Sequence, residues 1–190
     1  MKIVNFRYIT KNDEFDDTYP HWSRKWEYPT VFSIIKSLES EFNNNPKIHN
    51  SSWGFDVEHH QRFKGVLEKE FSAYNITNSD ILYREIPNTC IHDITQPPND
   101  AFKESFDIVL NVSALEEIPG DHLLYLQNLL EQVKPNGYLI ITFDLPGLQL
   151  EKIEDFFRIR LSQKNYDNRI VGSGAPWFDG LNVGLLVVKK

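Results

Sequence analysis

Phe106–Gly147, FDIVLNVSALEEIPGDHLLYLQNLLEQVKPNGYLIITFDLPG, reads as strand, turn, amphipathic helix, turn and strand, which makes one βαβ crossover. The runs Ile108-Val109-Leu110 and Tyr138-Leu139-Ile140-Ile141 are continuously apolar, as strands are when both faces of a parallel sheet are covered. Between them Leu123, Leu126, Leu130 and Val133 recur at helical spacing and form one buried stripe. Lys134-Pro135-Asn136-Gly137 ends the helix, with a cation near its negative end and turn formers behind it.

Working outward, the flanking sequence repeats this alternation. Thr30 caps a predicted helix through Glu41, with Val31, Ile34, Ile35, Leu38 and Phe42 inward, and Asn43-Asn44-Asn45-Pro46 breaks it. Lys47–Asn50 is a short strand and Val57–Phe71 a helix with Phe63, Val66, Leu67 and Phe71 inward. Tyr74–Ile81 and Thr89–Ile94 are two more strands, and Leu150–Leu161 is a last helix carrying Ile153, Phe156, Phe157 and Ile159. Asn168–Gly172 and Asn182–Lys189 then pair as an antiparallel hairpin. The expected fold class is α/β: a doubly wound, mostly parallel, seven-stranded sheet with helices on both faces and that hairpin at the end. Residues 1–29, rich in charge and rings, are set apart as an aromatic arm or lid, and residues 30–190 as a single domain.

The 190 residues, 41% of them hydrophobic, suit one compact core. A net charge of −7 argues against nucleic acid or an anionic membrane surface as partner, because phosphate binding needs a basic face. A small molecule or a protein is left. Cys90 is the only cysteine, which excludes an intrachain disulfide and fits a reducing, cytoplasmic setting. No apolar run reaches the length of a membrane span. No His, Cys, Asp or Glu spacing matches a zinc or calcium motif, so no metal is expected.

The word order of Phe106–Gly147, with FD before an apolar strand, then Ser113-Ala114-Leu115-Glu116-Glu117-Ile118-Pro119, a helix, Lys134-Pro135-Asn136-Gly137 and a strand, resembles the second half of class I S-adenosylmethionine-dependent methyltransferases. At the level of element order the resemblance covers residues 30–190. It implies the methyltransferase strand order, S-adenosylmethionine as cofactor, and a small polar acceptor or biosynthetic intermediate as substrate. The alternative is a non-catalytic binding or scaffold protein on the same fold, because the loop after the first strand departs from the pattern. His49-Asn50-Ser51-Ser52-Trp53-Gly54 has only one glycine, and Trp53 stands where the family keeps space for the cofactor.

Ligands of such sheets bind beyond the carboxyl ends of the parallel strands. The resemblance therefore places Asn50 and Gly54 by the methionine end of the cofactor and Asp80 on the ribose hydroxyls. It likewise places Asp93 and Ile94 against the adenine and Asn111 facing the sulfonium. Read without it, Asp80 is equally a cap, Asp93 a turn former before Gln96-Pro97-Pro98, and Glu116-Glu117 acids favoured ahead of a helix. Glu117, where many relatives carry His, and His49 are the candidate bases if one is needed. Substrate selection would fall to the arm with His21, Trp22, Trp26 and Tyr28, to Gly172–Gly180, and to Asp144 and Pro146 at the rim.

Overall fold

The computed structural model describes residues 1–9, 13–14, 16–19, 23–52, 57–82, 89–145, 147–160 and 182–190. The chain order is β1 (Lys2–Tyr8), α1 (Arg24–Leu38), β2 (Ile48–Ser51), α2 (Val57–Phe71), β3 (Ile76–Asp80), β4 (Thr89–Ile91), β5 (Phe106–Val112), α3 (His122–Gln132), β6 (Val133–Leu145), α4 (Leu150–Phe157) and β7 (Asn182–Lys189). The strands form one seven-stranded sheet in the order β1-β7-β6-β5-β2-β3-β4. β2 to β6 pair in parallel, and β7 is antiparallel to both of its neighbours.

Alternation along the strands divides the core. Ile108, Leu110, Ile140, Leu185 and Val187 face Val31 and Ile35 of α1 and Phe63 and Leu67 of α2. Val109, Leu139, Ile141, Phe143, Leu186 and Val188 face Leu126 and Leu129 of α3 and Ile153 of α4. A one-residue slip of β6 would exchange these sets, so burial on both faces fixes its register. The Lys134-Pro135-Asn136-Gly137 stop lies within β6, as an irregularity between the Phe106–Val133 and Ile108–Tyr138 pairs, with Asn136 at φ 66°. At Gly184 a Cβ would run into the Phe143 ring, so this strand crossing requires glycine.

The N-terminus departs from expectation. Lys2–Tyr8 is a sheet strand rather than part of a separate arm, running antiparallel to β7 with Phe6 opposite Leu186 and Tyr8 opposite Gly184. It takes the place beside β7 that the hairpin partner was expected to fill. Asn168–Gly172 lies outside the described residues. α1 also starts earlier than Thr30, and Pro29 sits inside it. Proline has no N–H for the Lys25 carbonyl, and Asp16 N donates to that carbonyl instead at 3.0 Å. Stacking of Tyr28 on Phe63, ring centroids 4.2 Å apart, holds this first turn against α2.

Candidate functional site

Strand order reverses between β2 and β5: β3 and β4 follow β2 outward on one side, and β6 follows β5 on the other. Helices that leave on opposite faces open a crevice at this switch point. Ser51 and Asn111 lie side by side at its base. Asn111 is fully buried, and its Oδ1 accepts from Leu115 N at 3.0 Å. Its Nδ2 has no partner among the described residues. A buried amide N–H without an acceptor is costly, and ligand sites are where such groups persist.

The neighbouring strand ends are better satisfied. Asn50 Nδ2 donates to Asn78 Oδ1 at 3.0 Å, Asn78 Nδ2 donates to Glu68 Oε1 at 3.1 Å, and Lys64 Nζ pairs with Glu68 at 2.6 Å. Asn50 is thus turned into the β2–β3–α2 packing. Asp80, at the end of β3, accepts from Leu82 N through Oδ1 at 2.9 Å, and its carbonyl accepts from His92 N at 3.1 Å. Asp93 Oδ1 takes Thr95 N and Oγ1 at 2.9 and 2.7 Å, closing its own Asx turn. Gly54 lies outside the described residues.

Two expectations are overturned. Ile94 is only 2% exposed, packs in the core on the α3 side, and lends its carbonyl to Asn128 Nδ2, so it presents no surface to a ring. His49 is no base: it is fully buried in β2, with Nδ1 on Gln132 Oε1 and Nε2 on Ser79 Oγ, both at 2.7 Å. Gln132 Oε1 is an acceptor, which makes Nδ1 the protonated nitrogen and Nε2 the acceptor from Ser79. Gln132 Nε2 in turn donates to His92 Nε2 at 3.1 Å, and His92 stacks on Phe102 with centroids 4.3 Å apart. Burial, reinforced by His92, lowers His49 to about 3, and burial also lowers His92. Burial disfavours the charged form of both rings, which serve the packing between β2, β3 and α3.

Polar chemistry gathers instead at the carboxyl ends of β5 and β6. Glu27 of α1 is fully buried there and accepts from Ser113 Oγ, from Thr142 Oγ1 at 2.6 Å and from Arg24, with which it is ion-paired. Burial alone would raise Glu27. Arg24 and the two hydroxyls outweigh that and hold it below the ordinary carboxylate range. The 3-10 turn Leu115–Glu117 supplies Glu116, whose Oε1 accepts from Asp144 N at 2.9 Å. Burial first, then Asp144 and Glu27, push Glu116 up to about 8. Asp144 rises to about 7 through burial and the Glu27 charge. Glu117 is exposed and acts on Asp144 through its charge.

Sequence reading missed Glu27 and Arg24 as members of the site. The only local signal was the i, i+3 spacing of an acid and a base just before Pro29.

No protein-family model matches the sequence, and no curated protein matches it. Solved structures match its fold. The [4+2]-cyclase SpnF aligns with a TM-score of 0.57 at 11% identity, over 96% of this chain and 86% of that one. N-methyltransferase NodS from Bradyrhizobium japonicum WM9, in complex with S-adenosylhomocysteine, gives 0.53 at 13% identity over 92% and 99%. 1,6-Didemethyltoxoflavin-N1-methyltransferase from Burkholderia thailandensis, with 1,6-didemethyltoxoflavin and S-adenosylhomocysteine bound, gives 0.52 at 13% over 92% and 82%. The chain has the class I methyltransferase fold. Identities this low establish the fold alone, and the cyclase illustrates that one fold carries more than one chemistry.

Proposed function

We propose that this protein is an S-adenosylmethionine-dependent methyltransferase acting on a small polar molecule. The observation that carries the reading is the unmatched Asn111 amide at the β2/β5 switch point, with Asp80 at the end of the next strand. These residues fit the cofactor at its polar parts: Asp80 would accept from the ribose hydroxyls, and Asn111 would donate at the methionine end. Ile94 does not fit the adenine contact, and Asp93 offers that ring only a carboxylate already held in a turn.

The bound cofactor supplies a methyl group on an already activated sulfonium. What remains for the chain is to orient the acceptor, exclude water and take up a proton where the nucleophile carries one. Glu116 and Asp144 suit the last task better than Glu117, because burial places them near neutrality. The acidic net charge accords with a small-molecule acceptor.

A second reading, a methyltransferase-fold protein without catalysis, is favoured by the Asx turns that already occupy Asp80 and Asp93. Calorimetric titration with S-adenosylhomocysteine separates the two. The first reading expects micromolar affinity, weakened about tenfold or more in Asp80→Asn, which is roughly 1.4 kcal/mol. No heat and no thermal stabilisation would favour the second.

A further inference from the structure

Four carboxyl groups meet at the carboxyl ends of β5 and β6: Glu27 from α1, Glu116 and Glu117 from the 3-10 turn, and Asp144 from β6. Arg24 is the cation acting on Asp144, and Glu27 already holds it in an ion pair. Among the described residues, carboxyl groups therefore outnumber cations at this corner.

Hydrogen bonding at the same place is incomplete. Glu116 is 9% exposed, and with Oε1 pinned by Asp144 N its Oε2 has no partner among the described residues. Asp144 Oδ1 is likewise buried without one. Asn111, which holds Leu115 N at the start of the same turn, adds a donor with no acceptor. Glu27, whose charge acts on both of these carboxyls, shows what satisfaction looks like here: both of its oxygens are engaged.

The two orphaned carboxyl oxygens require donors, and the carboxyl groups around them favour N–H donors bearing positive charge. A carboxylate or phosphate would add like charge, and an apolar group would leave both oxygens orphaned. We propose that the Glu116–Asp144 corner receives a primary or secondary ammonium group, so that the acceptor of this protein is an amine. This rests on the methyltransferase reading for the amine's role as acceptor. The group binds as the ion; ahead of methyl transfer one of its N–H bonds breaks, the proton forms an O–H bond on an ionised carboxylate of the pair, and the electron pair stays on nitrogen. The nitrogen is then a nucleophile.

The test uses the full chain, with the side-chain carboxyl carbons of Glu116 and Asp144 followed by NMR across pH. Probes are n-butylammonium, butan-1-ol and butyrate. Butylammonium is expected to lower the apparent midpoint of the pair by about one unit or more, as an opposite charge at contact does. Butanol and butyrate are expected not to, and Asp144→Asn is expected to abolish the response while the backbone spectrum stays folded. A pair blind to saturating butylammonium, or equally responsive to butanol, overturns the proposal. So does a pair that moves with S-adenosylmethionine but not with butylammonium, since the corner would then serve the sulfonium. Titration with S-adenosylhomocysteine is scored separately: binding with an amine-blind pair defeats this inference alone. An amine response without such binding defeats the methyltransferase reading and leaves an amine site.

Discussion

Two buried polar clusters lie on the same sheet and differ in one respect. Around His49, both ring nitrogens and both amide atoms of Gln132 have partners: Ser79, Gln132 and His92 close a chain between β2, β3, α3 and the segment after β4. At the ends of β5 and β6, Glu27 is closed in the same way, but Asn111 Nδ2, Glu116 Oε2 and Asp144 Oδ1 are not. Histidines in a cleft-bearing fold attract a catalytic reading, yet a closed network has nothing left to offer a ligand. The open network is where binding energy remains available. Unmet hydrogen bonding, more than residue type, separates the structural cluster from the one proposed as functional.

The sharpest break falls on the closed cluster. His49→Leu keeps the volume but orphans Gln132 Oε1 and Ser79 Oγ, and it should cost about 2–4 kcal/mol of unfolding free energy. Denaturant titration checks this, and affinity for S-adenosylhomocysteine should be unchanged in the folded variant. A cost near zero would mean the network is not held as described.

The clusters also oppose each other in pH. His49 and His92 have pKa values lowered on folding, so their contribution is present above the usual 6.5 and is lost as pH falls below it. Glu116 and Asp144 are raised, from 4.5 to about 8 and from 3.8 to about 7, so their contribution is present in acid and is lost as pH rises through that window. Between roughly pH 4.5 and 6.5 the two sets oppose each other, and above 6.5 the carboxyl slope is unopposed, so stability should fall there. Each unbalanced proton changes it by about 1.4 kcal/mol per pH unit. Glu116→Gln should flatten the alkaline limb and leave the acidic limb alone. An unchanged alkaline limb would contradict burial of that carboxyl.

Much of the fold was legible because Phe106–Gly147 combines long apolar strands with a helix of regular spacing, and both faces of the sheet demand that pattern. β1 was not, because Lys2–Tyr8 is an edge strand with mostly exposed or half-buried positions, and its charges disguise the alternation. The start of α1 was hidden by Pro29, whose cost is offset by Asp16, a contact no local pattern reveals. Site residues fared less well for the same reason. Glu27 meets Ser113 and Thr142 at separations of 86 and 115 residues, and His49 meets Gln132 across 83. Ile94 matched the motif beside Asp93 but is claimed by the α3 core, where Asn128 fixes its carbonyl. Asn111, read from the resemblance as facing the cofactor, lies at the switch point with its amide unmatched.

The most direct measurement replaces Asn111 by Leu and follows stability and S-adenosylhomocysteine affinity on the same preparation. Removing an amide with one unmet hydrogen bond should leave stability within about 1 kcal/mol, because the lost Leu115 contact is offset by relief of the orphaned N–H. Affinity should fall by about tenfold or more. Unchanged affinity, or a loss of stability large enough to account for the loss of binding, would contradict the claim that the open end of this network is the binding face.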